Sequence, residues 1–303
     1  MSGPALRVLS LGAGVQSTAL ALLAVEGVLP RPDAVIFADT GWEPAAVYTH
    51  LDRLEPVLAA AGMAVYRVSA GNIRADALNP AHRFASMPLH VIRPDGGSGM
   101  IRRQCTSEYK VKPIKAKVRE LLGYAHPRPV PTGVWAEQWI GFSTDELGRV
   151  RDRLDVNYTR PVYPLLDLGM SRTDCQRFLG VRGWSTTKSA CVGCPFHGNQ
   201  AWRALRDSDP SGWADAVAFD AAIRHGHPHA RTGGDDLLGR AYLHRSRLPL
   251  AVAPIDRVTR REHADRQTDL LDAIADHEAG YHPDDQGDPD GCSPYGCRSG
   301  GPT

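Results

Sequence analysis

LRVLSLGAGVQSTAL, residues Leu6–Leu20, is the stretch that decides the fold. Arg7–Leu11 is apolar and β-prone, which predicts a buried strand, and Ala19–Val25 is rich in alanine and leucine, which predicts a helix. Between them lies Gly12–Thr18, a run of small and polar residues. Where a strand turns through glycines into a helix N-terminus, free backbone N–H groups and the positive end of the helix dipole face one point. The stretch therefore predicts an anion-binding site.

Two common phosphate-binding motifs do not fit this glycine turn. A dinucleotide-binding fingerprint needs a third glycine, and a Walker loop needs a Lys-Ser/Thr pair after Gly14. The Ser17 and Thr18 hydroxyls are placed to cap the helix and contact a phosphate. A packing role for the glycines is the alternative. The candidate ligands of the anion are Ser10, Gly12, Ala13, Gly14, Gln16, Ser17 and Thr18.

The composition is that of an ordinary globular protein. The chain has 303 residues, of which 42% are hydrophobic and 23% charged, and its formal net charge is +1. This balance gives no general attraction to nucleic acids or membranes. The sequence has neither a long apolar span nor a signal-peptide pattern, so we expect a cytoplasmic protein. In that reducing compartment its six cysteines favour metal binding or redox chemistry over structural disulfides.

Strands and helices alternate along the first third of the chain. Ala34–Ala38 is a second predicted strand, Val47–Ala61 a helix, and Ala64–Val68 a third strand, which together predict a doubly wound parallel sheet. Asp39 and Thr40 follow the second strand. Ligands bind beyond the carboxyl ends of strands in such sheets, so these two residues are candidate nucleotide ligands. A turn and helix cap is the alternative.

No periodic pattern extends over Asn72–Arg102, which is interrupted by prolines and glycines and carries several basic residues. A loop of this length in a compact domain is often functional. It predicts a lid over an anionic ligand, or equally a solvated basic loop.

Cysteines outline a second candidate site. Cys105 precedes a predicted helix, Ile114–Leu122, and lies among basic residues, which favours a thiolate. Cys191 and Cys194 form a C-x-x-C turn that can direct two sulfurs at one metal. A thioredoxin-type dithiol is the rival interpretation, and a zinc site completed by a histidine is another. Further ligands must come from the remaining thiols, which are Cys105, Cys175, Cys292 and Cys297.

Trp139–Phe142 is a further predicted strand, and Glu146 and Arg149 follow it one helical turn apart. A surface ion pair is the alternative to a functional role. Gln200–Arg224 predicts one long helix or two, with a core of Trp202, Leu205, Trp213, Val217 and Phe219. Asp256–Asp276 predicts a charged amphipathic helix. We expect a nucleotide-binding domain over residues 1–200, a helical region over 201–279 and a mobile tail over 280–303 that carries Cys292 and Cys297.

Five elements in order over residues 6–200 resemble the phosphoadenosine-phosphosulfate-reductase-like branch of the adenine nucleotide α-hydrolase superfamily. They are the glycine loop, D-T-G at the second strand, C-x4-K-x-x-P from Cys105, a segment similar to the family's G-x-x-x-E-x-x-R that ends at Arg149 but has four residues between Gly141 and Glu146, and C-x-x-C-P-F from Cys191. The loop departs from the family motif SGGxDS, because Gly12 replaces its first Ser and Gln16 its Asp. The resemblance implies an α/β fold of the HUP type with a helical C-terminal region.

The resemblance also implies the chemistry. ATP would be attacked at its α-phosphate with Mg²⁺ present, pyrophosphate would leave, and sulfur would then displace AMP from the acceptor. A [4Fe–4S] cluster would be held by Cys105, Cys175, Cys191 and Cys194. Lys110 would face the phosphate or sulfate, and Glu146 and Arg149 are further candidate catalytic residues. The polar tail itself suggests that Cys292 and Cys297 act as persulfide carrier or reductant, and an accidental cysteine pair is the alternative.

The expected partners are a sulfur donor, such as sulfide or a cysteine desulfurase, a nucleobase, nucleic-acid or small-molecule acceptor, and a second copy of the chain in a homodimer. Two other functions stay open. One is a sulfonucleotide reductase that binds a preformed adenylyl sulfate. The other is a nucleotide-binding subunit without turnover, which the unusual Gly12 and Gln16 suggest.

Overall fold

The computed structural model describes residues 3–151, 156–186, 189–229, 231–232, 235–236 and 239–259. In chain order its strands are β1 (Leu6–Leu11), β2 (Ala34–Asp39), β3 (Ala64–Ser69), β4 (His90–Ile92), β5 (Ser98–Met100), β6 (Ala136–Trp139), β7 (Thr159–Val162), β8 (Arg231–Thr232), β9 (Asp235–Asp236) and β10 (Arg240–Tyr242).

The α-helices are α1 (Val15–Val25), α2 (Ala45–Ala60), α3 (Ile73–Leu78), α4 (Lys112–Leu121), α5 (Pro164–Asp167), α6 (Arg172–Gly180), α7 (Asn199–Ser208) and α8 (Pro210–Ala222). A π-helix, Thr106–Val111, leads directly into α4. Short 3₁₀ segments lie at Thr144–Arg149, Ile223–His225 and Leu250–Val252.

The main sheet has five parallel strands in the order β3-β2-β1-β6-β7. The chain moves outward from β1 to β3, then returns to the other side of β1 to add β6 and β7. The prediction of a doubly wound parallel sheet is confirmed. The order reverses between β1 and β6, and ligands of such sheets bind outside the carboxyl ends of the strands at this point.

Both faces of the sheet are covered by helices. Val8 packs on one side with Ile114 and Val118 of α4, whereas Leu9 packs on the other side with Leu20 of α1. Successive side chains of a strand point to opposite faces, so the apolar run of β1 supplies both cores.

The strand near Trp139 is shifted from its predicted place. The sequence predicts Trp139–Phe142, but β6 is Ala136–Trp139. Ile140 and Phe142 are buried all the same, because the chain continues beyond the end of β6 and passes close to α1 at Gly141. The predicted strand position was wrong because an apolar run indicates buried residues but does not show which of them belong to the strand.

The predicted lid has structure of its own. Residues 72–102 include α3, β4 and β5, and β4 pairs antiparallel with β10 from the C-terminal part of the described chain. Met87 and Leu89 pack in one cluster with Trp202 of α7 and Phe219 of α8. The segment is thus held to the C-terminal helices by apolar contacts and by a second sheet.

The prediction of a helix pair over Gln200–Arg224 agrees with α7 and α8. Trp202, Leu205 and Phe219 are buried, and Trp213 and Val217 are partly buried against the same cluster. The helix predicted from Asp256 to Asp276 lies outside the described residues from 260 onward, as does the tail. Within the described ranges, no helix is both long and apolar enough to cross a membrane.

Candidate functional site

The glycine loop is shaped by Ser17. Its Oγ accepts hydrogen bonds from the backbone N–H of Gly12 (3.1 Å) and of Gly14 (3.3 Å). Ala13 between them adopts a φ of +56°, in the left-handed region that non-glycine residues seldom visit. The hydroxyl of Ser17 thus folds the loop around the N-terminus of α1.

Two of the predicted anion ligands have internal partners. Thr18 is fully buried, and its Oγ1 lies 3.0 Å from His50 Nε2. Burial, with a smaller contribution from Arg53, lowers the pKa of His50 to about 4, so this imidazole is neutral at pH 7. Ser10 Oγ accepts a hydrogen bond from Gln138 Nε2 (2.8 Å) and joins β1 to β6. Ser10 and Thr18 therefore stabilise the sheet and its helix rather than face a ligand.

Gln16 brings the glycine loop to the Glu146 segment. Its Nε2 donates to Glu146 Oε2 (3.1 Å), and its Oε1 accepts from Arg172 Nη1 (3.2 Å). Glu146 also pairs with Arg149. The predicted ion pair exists, but both side chains are largely buried beside the loop. The two elements are remote in sequence and adjacent in space.

Gly141 allows this close approach. A Cβ at this position would lie 3.1 Å from the Ser17 nitrogen and 3.2 Å from the Gln16 carbonyl carbon. Both contacts are to backbone, which cannot swing aside as a flexible side chain would. The chain after β6 consequently packs directly on the first turn of α1.

The D-T-G sequence forms a turn at the end of β2. Asp39 Oδ1 accepts hydrogen bonds from Gly41 N–H (2.8 Å) and from the Tyr48 hydroxyl (2.9 Å). Gly41 has a φ of +71°, and Asn72 lies against it. Asp39 thus stabilises the turn, as the structural alternative predicted, whereas Thr40 lines a cavity.

Three of the predicted metal ligands meet in this cavity. Cys105, Cys191 and Cys194 come from two distant segments and line one cleft of about 390 Å³, part of which is open to solvent. Cys175 is not among them. It is fully buried on α6 within the cluster that surrounds α1. The other lining side chains include Thr40, Ile73, Met87, Arg103, Lys110 and Phe196.

The C-x-x-C turn requires its glycine. The Cys194 N–H donates to the Cys191 carbonyl (3.0 Å), which closes the turn. A Cβ on Gly193 would lie 2.1 Å from Trp42 Cη2. Trp42 is itself pinned, because its Nε1 donates to Asp215 Oδ2 (2.7 Å) and its ring packs on Phe219. The C-x-x-C turn therefore packs directly against the Trp42 indole.

A buried ion pair, which the sequence did not predict, lies behind the cavity. Lys110 Nζ lies 3.3 Å from Glu43 Oε1, and both side chains are almost completely inaccessible to solvent. The Thr40 hydroxyl donates to the same oxygen (3.0 Å) and lies 3.3 Å from Cys191 Sγ. Nothing in its local sequence distinguishes Glu43 from a surface acid ahead of a helix, so only the fold reveals it.

The helix after Cys105 begins earlier than predicted. It was expected at Ile114, but the π-helix and α4 form one continuous helical run from Thr106. π-turns inside helices are rare and occur frequently at functional sites. Lys110 enters the cavity from this turn, whereas Lys112 is exposed and pairs with Glu108 (2.6 Å).

Burial favours the thiol form of Cys105 and Cys191 in the metal-free protein. Burial, reinforced by Cys194, raises the pKa of Cys105 to about 11. Burial and Glu43 raise the pKa of Cys191 well above its ordinary value. At Cys105 desolvation outweighs the nearby Arg103 and Lys110, so the metal-free protein favours the thiol over the predicted thiolate.

The donor set suits a soft metal or an iron–sulfur group. Thiolates select such centres, and the Arg103 and Lys110 cations can offset the negative charge of thiolate ligands. The four-cysteine set expected from the resemblance is not assembled, because Cys175 lies elsewhere. In the described part of the chain, no three His, Cys, Asp or Glu side chains already surround one point as metal ligands.

Comparison with known proteins does not assign the chain to a family. The sequence matches no protein-family model and shows no significant similarity to a curated protein. Cys292 and Cys297, the predicted sulfur carriers, lie outside the described residues.

Proposed function

We propose that this protein is a PP-loop enzyme of the adenine nucleotide α-hydrolase (HUP) type, an ATP-dependent iron–sulfur sulfurtransferase. The observation that supports it best is the meeting of Cys105, Cys191 and Cys194 in one cavity at the carboxyl end of the parallel sheet. Such convergence from remote segments is what a metal or cluster site requires, and it occurs beside the glycine loop.

The loop and the N-terminus of α1 supply the nucleotide site in this proposal. Backbone N–H groups at a helix N-terminus stabilise phosphate oxygens and the charge that develops on departing pyrophosphate. An acceptor oxygen attacks the α-phosphorus of ATP, and the bond to pyrophosphate breaks. The acceptor is left as an adenylate. Sulfur then attacks the activated carbon, and the carbon–oxygen bond breaks as AMP leaves.

Two charged residues, Glu146 and Lys110, have roles in the proposed reaction. Glu146 pairs with Arg149 and accepts a hydrogen bond from Gln16, the residue that stands where the family motif carries Asp. We assign it the orientation of Mg²⁺ on the phosphates. Lys110 remains charged beside the cavity, since burial lowers its pKa but the Glu43 carboxylate contributes most to a net rise. It is placed to neutralise an anionic sulfur species.

Cys105, Cys191 and Cys194 would hold the cluster, with Cys175 outside the ligand set. Three cysteine ligands leave one iron of a four-iron cluster accessible to a sulfur species, which is the chemistry the cluster supplies there. The immediate donor is sulfide, which needs no redox step, or a desulfurase-bound persulfide. With the persulfide, the acceptor is left in a disulfide with the desulfurase, and a second thiol must cleave that disulfide.

Iron analysis of anaerobically purified protein tests the cluster. The wild type should be brown and carry about four irons per chain. Cys105→Ala, Cys191→Ala and Cys194→Ala should each lose the iron, whereas Cys175→Ala should keep it. Colourless protein with stoichiometric zinc would contradict the cluster, and iron loss in Cys175→Ala would contradict the three-cysteine set.

Product analysis separates the proposed reaction from its alternatives. Pyrophosphate release from ATP, screened with RNA and small-molecule acceptor pools, supports the sulfurtransferase. Sulfite release from an adenylyl sulfate would identify a reductase instead. A non-catalytic nucleotide-binding subunit is favoured by one observation, the uncharged Gln16 in the loop, whose amide is engaged by Glu146 and Arg172. ATP binding with neither product would support it.

A further inference from the structure

The C-x-x-C segment contacts both elements assigned to the nucleotide. A Cβ on Gly14, in the glycine loop, would lie 3.4 Å from Ser189 Cβ. Two residues further on, Cys191 Sγ lies 3.3 Å from Thr40 Oγ1 at the end of β2. A displacement of this segment would therefore act on the loop after β1 and on the end of β2 at once.

Thr40 is the atomic link between the cavity and the sheet. Its hydroxyl donates its one hydrogen to Glu43 Oε1 (3.0 Å), and its oxygen lies 3.3 Å from Cys191 Sγ. The Cys191 S–H is directed at the same carboxylate oxygen (3.8 Å). Thr40 is only 1% exposed, so bulk water cannot replace either partner. A metal ion on the Cys191 sulfur would replace the thiol hydrogen, which leaves as a proton. The hydroxyl then lies between two acceptors and can donate to only one.

The opposite side of the turn is fixed. The Val192 N–H donates to the Trp42 carbonyl (2.9 Å), and the Trp42 ring lies against Gly193 and is held by Asp215. The Trp42 N–H also reaches Thr40 Oγ1 (3.4 Å), so the Thr40 hydroxyl lies between this packed wall and Cys191. Glu43 Oε2 is buried and has no hydrogen-bond partner among the residues that the structure describes, so the carboxylate has capacity to accept a rearranged donor.

We propose that the Thr40 hydroxyl couples the two sites, so that a thiophilic metal in the cysteine cavity and an adenine nucleotide at the glycine loop strengthen each other's binding. The inference rests on the proposed function, since it needs a nucleotide at the loop. A metal that fixes Cys191 also fixes Ser189 and Thr40, and the second ligand then meets a more ordered site. Such coupling is reciprocal by thermodynamic necessity.

Cd²⁺ and a fluorescent ATP analogue test the coupling without enzyme activity. Wild-type protein is loaded with one equivalent of Cd²⁺, desalted and checked by metal analysis and by the thiolate–cadmium absorption. Mant-ATP is then titrated, with excess Mg²⁺, into the loaded and the metal-free protein. The same pair of titrations is made for Thr40→Val, which keeps the shape but loses the hydroxyl, and for Thr40→Ser, which restores it. Thr49→Val is the matched control, because Thr49 is exposed on α2.

We expect loaded wild type to bind mant-ATP about fivefold or more tightly than metal-free protein, within the usual range of coupling between sites. The ratio should fall to about one in Thr40→Val and should be retained in Thr40→Ser and Thr49→Val. Equal affinities of the two wild-type forms, a ratio that survives in Thr40→Val, or failure to retain Cd²⁺ would overturn the coupling. Absence of mant-ATP binding to both wild-type forms is a different result, since it overturns the proposed function as well.

Discussion

At the scale of single residues, the Glu43–Lys110 pair is the most consequential feature. Glu43→Ala would leave the Lys110 ammonium buried without its counterion. Removal of one partner of a buried pair costs about 3–5 kcal/mol. We expect the free energy of unfolding, measured by urea titration, to fall by about that amount.

Two further variants distinguish the loss of the buried counterion from a general loss of stability caused by substitution. Glu120→Ala removes an exposed partner of Lys117, and such surface pairs contribute about 0–1 kcal/mol. The double variant Glu43→Leu with Lys110→Met removes both buried charges and should recover much of the lost stability. Equal losses in Glu43→Ala and Glu120→Ala would contradict the assigned role of the pair.

Ser17→Ala tests the loop at the same scale. Without the Ser17 oxygen, the Gly12 and Gly14 N–H groups lose the acceptor that shapes the loop. We expect ATP affinity, measured by calorimetry, to weaken by about 1–3 kcal/mol. Ser208→Ala is the control, because Ser208 is exposed and bonds only within α7. ATP affinity unchanged in Ser17→Ala would argue against a nucleotide at this loop.

At the scale of elements, the C-x-x-C turn depends on its contact with Trp42. Gly193→Ala places a methyl group where the indole already lies. Overpacking of this kind costs about 1–3 kcal/mol, and the turn cannot shift without moving both thiols. We expect lower thermal stability and reduced iron content together.

Gly148→Ala is the matched control for this substitution, since a Cβ there meets no atom within 4 Å. A smaller ring should relieve the clash, so Gly193→Ala combined with Trp42→Phe should regain part of the iron. Full iron content in Gly193→Ala alone would show that the turn tolerates displacement.

At the scale of the whole molecule, buried histidines predict a loss of stability in acid. Burial lowers the pKa of His50 and of His244 to about 4, aided by Arg53 at the first and Arg245 at the second. Between the unfolded value near 6.5 and about 4, the unfolded chain binds more protons than the native one. Stability is therefore fully present above pH 6.5 and falls as the pH approaches 4.

Urea unfolding at several pH values between 4 and 7.5 measures this dependence. His50→Gln removes one of the two groups, so its stability should decline less steeply over the same interval. His225→Gln, at an exposed position, should keep the slope of the wild type. A wild-type stability that is constant from pH 7 to pH 4.5 would contradict the prediction.

The local sequence determined the architecture of the sheet. Strand and helix periodicities are set by backbone geometry over a few residues, so the alternation from β1 to β3 and the glycine turn before α1 are visible in the chain itself. The C-x-x-C turn is also visible in the local sequence, because Gly193 and both cysteines lie within four consecutive residues.

Only the tertiary structure decided which residues share a site. Cys105 joins Cys191 and Cys194 from far away in the sequence, whereas Cys175, much nearer to them, packs against α1 on a different core. Glu43 is likewise an ordinary acid in the sequence and a buried counterion in the fold. The physical reason is that burial and long-range neighbours depend on how the helices pack on the sheet, which no short window of sequence records.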